Sequence, residues 1–158
     1  MKKFAEVIST ADPIVVTNIP QNFDTLIVSV FCEGTGLTSR LPQASFGSGT
    51  HITTYFDADW NWGSTLLNQT RTPLYYTDRN TPGTSWLEIT NYSSDSSTKK
   101  QGQTISFTGS TPTADDSDCE QAVHEFTYTG DAIDTITFAS IVTNGSDGRQ
   151  KIITIYGV

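Results

Sequence analysis

Along most of the chain apolar and polar residues alternate with a period of two, the spacing that sends side chains to opposite faces of a β-strand. From Thr25 to Cys32 the run Leu26, Ile27, Val28, Ser29, Val30, Phe31 is apolar on both faces, which predicts a strand inside a sheet or between two layers. Residues 51–57 set Ile52, Thr54 and Phe56 against His51, Thr53 and Tyr55, and residues 152–156 form a β-branched run followed by a glycine; both predict strands. Shorter strands are predicted at 6–9, 14–17, 74–77, 86–91, 104–107, 123–129 and 135–141.

Turn-forming clusters separate them, at 33–36, 47–49, 80–83, 129–131 and 144–148, and leave little room for a long helix. The only helix candidates are single turns around 64–69 and 116–122, each too short to bury an amphipathic stripe. No fixed-period repeat appears, which disfavours propellers and solenoids. Many short strands with turns throughout predict an all-β sandwich or barrel. Periodicity does not choose between an immunoglobulin-like sandwich and a jelly roll, but a chain of this length is generous for the first and natural for the second.

The 158 residues suffice for one substantial core, and hydrophobic residues make up 35% of them against 16% charged, with Ser and Thr supplying about a quarter. That balance fits neither a helical bundle nor a disordered tail. A net charge of −8 argues against nucleic acid and anionic membrane surfaces as partners. No run approaches a membrane span, and Glu6 and Asp12 interrupt any signal-peptide core after Lys2 and Lys3, so synthesis in the cytoplasm is expected. Cys32 and Cys119 are too few for a disulfide framework or a structural zinc site; free thiols are expected, a single bridge being the alternative. The polar stretches 92–103 and 108–120 read as loops, the first with no apolar anchor in its Ser- and Lys-rich centre.

The order of several segments resembles a family of bacteriophage virion proteins with a small jelly-roll domain, found in head-decoration, head-fibre and tail-fibre proteins. The resemblance rests on Ile14-Val15-Val16-Thr17-Asn18-Ile19-Pro20-Gln21-Asn22-Phe23 running into the apolar strand at Thr25; on the aromatic loop Tyr55-Phe56-Asp57-Ala58-Asp59-Trp60-Asn61-Trp62-Gly63; on Leu87-Glu88-Ile89-Thr90-Asn91-Tyr92 followed by Lys99 and Lys100; and on Ile133 to Phe138 with the final Ile155-Tyr156-Gly157-Val158. It covers nearly the whole chain. Asp57-Ala58-Asp59 departs from the family's Asn-Gly turn, and the chain has no fibre shaft or coiled coil. The resemblance implies a single jelly-roll β-sandwich of two antiparallel sheets over 13–158, preceded by an N-terminal arm at 1–12. For Ile19-Pro20 and Tyr156-Gly157-Val158 the residue chemistry assigns packing roles first.

Candidate chemistry is sparse. Asp57-x-Asp59-x-Asn61 opens like a calcium loop, but the twelfth position is Asn68, which supplies no bidentate carboxylate, so no metal is expected. The acidic run 115–120 reads as a solvated loop. Trp60, Trp62 and Trp86 with Tyr75 and Tyr76 form a candidate aromatic platform, for stacking sugar rings with Asp57, Asp59 and Asn61 bonding hydroxyls, or for burial at a subunit interface; the interface is favoured. No nucleophile, phosphate-loop or metalloprotease motif occurs. Cys119 with His124 is a weak nucleophilic pair, and nothing selects Asp57 with Glu88 or Glu125 as glycosidase carboxylates. The expectation is a non-enzymatic, cofactor-free capsid-decoration or head-fibre protein located in the virion. It is expected to bind the capsid through residues 1–12 and to assemble as a homotrimer. The alternative is a carbohydrate-binding receptor domain of a tail fibre or baseplate that recognises a host surface glycan.

Overall fold

The computed structural model describes residues 1–32, 42–47, 50–57, 62–69, 72–73, 83–108, 120–140 and 150–158. They form twelve strands: β1 (Lys2–Ser9), β2 (Ile14–Val16), β3 (Thr25–Cys32), β4 (Pro42–Ser45), β5 (Thr50–Asp57), β6 (Trp62–Gln69), β7 (Thr72–Pro73), β8 (Gly83–Thr90), β9 (Lys100–Thr108), β10 (Glu120–Thr129), β11 (Ile136–Ser140) and β12 (Lys151–Gly157). Every pairing among them is antiparallel.

The large sheet has the order β1-β12-β3-β8-β9-β10-β5-β6 and the small sheet β2-β11-β4-β7. Through these strands the chain changes sheet eight times, staying within the large sheet only from β5 to β6 and from β8 through β9 to β10. With β2-β11-β4-β7 on one side and β3, β10, β5 and β6 on the other, the interleaving is that of an eight-stranded jelly roll. The β8–β9 hairpin widens the large sheet between β3 and β10, and β1 and β12 extend it beyond β3. The fold is thus an all-β sandwich of two antiparallel sheets.

Alternation along the strands fills one core. Leu26, Val28 and Val30 of β3, Leu87 and Ile89 of β8, and Ile153 and Ile155 of β12 point inward and meet Ile14, Val16, Ala44, Ile136 and Phe138 of the small sheet. Phe46, just after β4, joins the sheets directly: its ring lies 5.7 Å from Phe126, stacked, and 5.7 Å from Tyr128, edge-on, both on β10. The Phe126 ring covers Gly102 of the neighbouring strand so closely that a β-carbon there would stand 2.6 Å from Cε1.

Residues 2–9, expected as part of an arm, form the edge strand β1, paired with β12 from Lys2 opposite Gly157 to Ser9 opposite Lys151. A register shift between Lys3 and Ala5, with the exposed Lys3–Glu6 ion pair at 2.7 Å, blunts this edge against further strand addition. The helical turn expected around 64–69 is instead part of β6: Leu66 pairs with Thr53 and Thr65 with Thr54, so ladder hydrogen bonds override local helix preference. Of the other candidate turn, 120–122 begin β10 and the rest lies outside the described residues, as does the strand expected at 74–77. The stretch 92–103 is also more ordered than expected. Tyr92 is fully buried and β9 already begins at Lys100.

Candidate functional site

Gln21, Tyr92, Ile133 and Val158, from segments far apart in the sequence, meet at one pole of the sandwich. Gln21, from the Ile-Pro-Gln segment, donates from Nε2 to the carbonyls of Ile19 at 2.7 Å and of Ile133 at 3.0 Å. The buried Tyr92 hydroxyl donates to the Pro20 carbonyl, and the Ile133 N–H donates to the Tyr92 carbonyl at 2.8 Å. Ile19 N–H reaches the Asp134 carbonyl at 3.0 Å. Asn91 takes the left-handed conformation (φ 58°) that lets its N–H donate to the Asp24 carbonyl at 2.7 Å. Val158 exchanges backbone hydrogen bonds with Thr25. Burial pushes the Tyr92 phenol above its ordinary pKa. Chemically this clasp holds the chain together; its polar groups are occupied by one another.

Lys100 stands at the same pole. Its ammonium is enclosed by the carbonyls of Gly130 at 2.6 Å, Asp95 at 3.2 Å and Thr98 at 3.5 Å, one for each of its N–H groups, and lies 5.4 Å from the centre of the Tyr128 ring. Burial lowers its pKa, and the Asp95 and Asp131 carboxylates oppose that shift. The side chain ties the 91–99 turns to the turn after β10. Spacing alone did not signal this role.

The outer face of the large sheet is a different kind of surface. Reading the registers across it, Trp86 of β8 stands opposite Ile105 of β9, Ile105 opposite Val123 of β10, Val123 opposite Phe56 of β5, and Phe56 opposite Trp62 of β6. Two of the sequence-predicted aromatic residues, Trp86 and Trp62, therefore share one cross-strand row. Trp86 is 46% exposed, and Ile105 and Val123 are half-buried. The next row along the same strands is polar: Glu88, Gln103 and Glu125, with Gln103 Nε2 donating to Glu88 Oε2 at 3.3 Å. With Thr90, Gln101 and Thr127 they line a depression of about 390 Å³.

Asp57 ends β5 opposite Ala122. Trp60, Asp59, Asn61, Tyr75, Tyr76 and Cys119 lie outside the described residues, so the full aromatic platform, the calcium-loop pattern and the Cys119–His124 pair are not described by the structure. Among the described residues no group of three or more His, Cys, Asp or Glu side chains is placed to hold a metal ion. Among them, too, no helix is long and apolar enough to cross a membrane.

The strands flanking 33–41, 58–61 and 109–119 all end at the pole opposite the clasp, where Cys32 pairs with Gly83, Gly83 with Thr108 and Thr108 with Glu120. No family model matches the chain, and no curated protein or solved structure matches it either.

Proposed function

We propose that the chain is a non-enzymatic phage virion protein of the capsid-decoration or head-fibre type, a jelly-roll subunit that acts by adhesion to the capsid and associates as a homotrimer. The observation that supports this reading is the clasp. Segments far apart in the sequence that resemble the virion family, Ile19-Pro20-Gln21, Asn91-Tyr92, Ile133 and Tyr156-Gly157-Val158, form one hydrogen-bonded and packed unit. Such a set of motifs describes a way of closing a sandwich, with no catalytic group among them, and suits a subunit whose work is to present surfaces.

Immunogold electron microscopy of intact virions tests the location: label on the head is expected, and label restricted to the tail favours the receptor-domain alternative. Absence from virions overturns both. Light scattering of the purified chain at micromolar concentration tests the trimer, which a monomeric mass overturns.

A further inference from the structure

We propose that the outer face of the large sheet, around Trp86, Glu88, Gln103 and Glu125, binds a neutral glycan. This goes beyond the adhesive role and holds whether the chain sits on a head or on a tail. Trp86 and Glu88 are two apart on β8 and so project from the same face, about 7 Å from each other along the strand. A pyranose ring whose C–H face stacks on the exposed indole therefore places its neighbour over the Glu88-Gln103-Glu125 row.

That row has the right chemistry for hydroxyl groups. The two carboxylates accept from them, and the Gln103 amide both donates and accepts. The depression is lined by Thr90, Gln101 and Thr127 on its other side, so the polar groups surround a volume of about 390 Å³ instead of standing singly on a flat sheet.

Charge narrows the ligand. Among the described residues no Lys or Arg lines the depression and two carboxylates do, on a chain of net charge −8. Sialic acids, uronic acids and phosphorylated sugars are repelled. A metal ion is not the better occupant: calcium takes about six or more oxygens, and among the described residues no group of three or more His, Cys, Asp or Glu side chains is placed to hold one. A protein partner would have to bring a cation to each carboxylate, while a sugar meets both with hydroxyls it already carries.

The test is an NMR titration of the isotope-labelled full chain with neutral tetrasaccharides of glucose, mannose, galactose and N-acetylglucosamine at millimolar concentration, with a galacturonic acid oligomer as control. At least one neutral sugar is expected to shift the Trp86 indole N–H and the Gln103 side-chain amide, with no response to the acidic oligomer. Trp86→Ala and, separately, Glu125→Gln should each weaken binding by about tenfold with unchanged thermal melting, since both side chains are exposed. The proposal is overturned if no neutral sugar moves these signals, if the acidic oligomer binds as well, or if binding survives both substitutions.

Discussion

Phe4 and Gly157 are packed so closely that a β-carbon built on Gly157 would stand 2.8 Å from Cε2 of Phe4 and 2.8 Å from Cγ of Phe23, whose ring centre is 5.0 Å from that of Phe4. Gly157 is needed there for space: two aromatic rings occupy the volume that any other residue would claim. Gly157→Ala is therefore expected to destabilise the fold by about 1–3 kcal/mol, the usual range for overpacking, in urea denaturation. Phe4→Ala in the same chain should recover part of that loss, because the two changes act on one contact. Strict additivity would show that the collision is not what makes Gly157 necessary.

Tyr92→Phe keeps the ring and removes the hydroxyl that donates to the Pro20 carbonyl. The bond is part-buried and Pro20 is exposed, so the expected loss is that of one hydrogen bond, about 0.5–1.5 kcal/mol. An unchanged denaturation midpoint would show that the clasp is held by its backbone bonds alone.

Lys100→Met fills much of the same volume but removes the ammonium that donates to the Gly130 and Thr98 carbonyls, and leaves the Asp95 carbonyl with the Thr98 N–H. A loss of stability is expected at neutral pH, of about 1–3 kcal/mol. The difference between wild type and variant should also depend on pH. Burial holds the folded-state pKa of Lys100 below its ordinary 10.5, so the unfolded chain binds more protons in the window between the two values. Wild-type stability relative to Lys100→Met should be flat below the lowered pKa, rise with pH through it, and level off above 10.5. Urea titrations of both proteins from neutral pH upward check this, and a difference that falls over that window would contradict it.

Phe126→Ala is expected to destabilise by about 3–5 kcal/mol, the range for emptying a buried aromatic position. It removes the stacked contact with Phe46 that joins the sheets and uncovers Gly102. A loss under 1 kcal/mol, measured by chemical denaturation, would mean that the sheets are joined mainly elsewhere in the core.

Strands that are apolar on their core face were legible because burial requires it: Thr25–Cys32 appears in the fold with the limits read from its residues. β4 was not legible, since Pro42-Gln43-Ala44-Ser45 offers one core residue, Ala44, and is a strand because β11 pairs with it. β6 was misread for the same reason, its Leu66-Leu67-Asn68 run having no period until β5 supplies one. Lys100 lies in a run of Ser, Thr and Lys that reads as solvated loop, and its burial depends on a carbonyl thirty residues away at Gly130. Trp86 was recognisable as a candidate from its type. Its polar neighbours were not, because Gln103 and Glu125 become adjacent to Glu88 only through the registers of β8, β9 and β10.

The pairing of Lys2 with Gly157 places both chain ends at the same pole, on neighbouring antiparallel strands. Tension applied between Met1 and Val158 would therefore act across the β1–β12 ladder, not along it. Its hydrogen bonds would be loaded one pair at a time, from Lys2–Gly157 toward Ser9–Lys151, so the first strand would peel from its neighbour at low force while Val158 stayed anchored through its backbone bonds to Asp24 and Thr25.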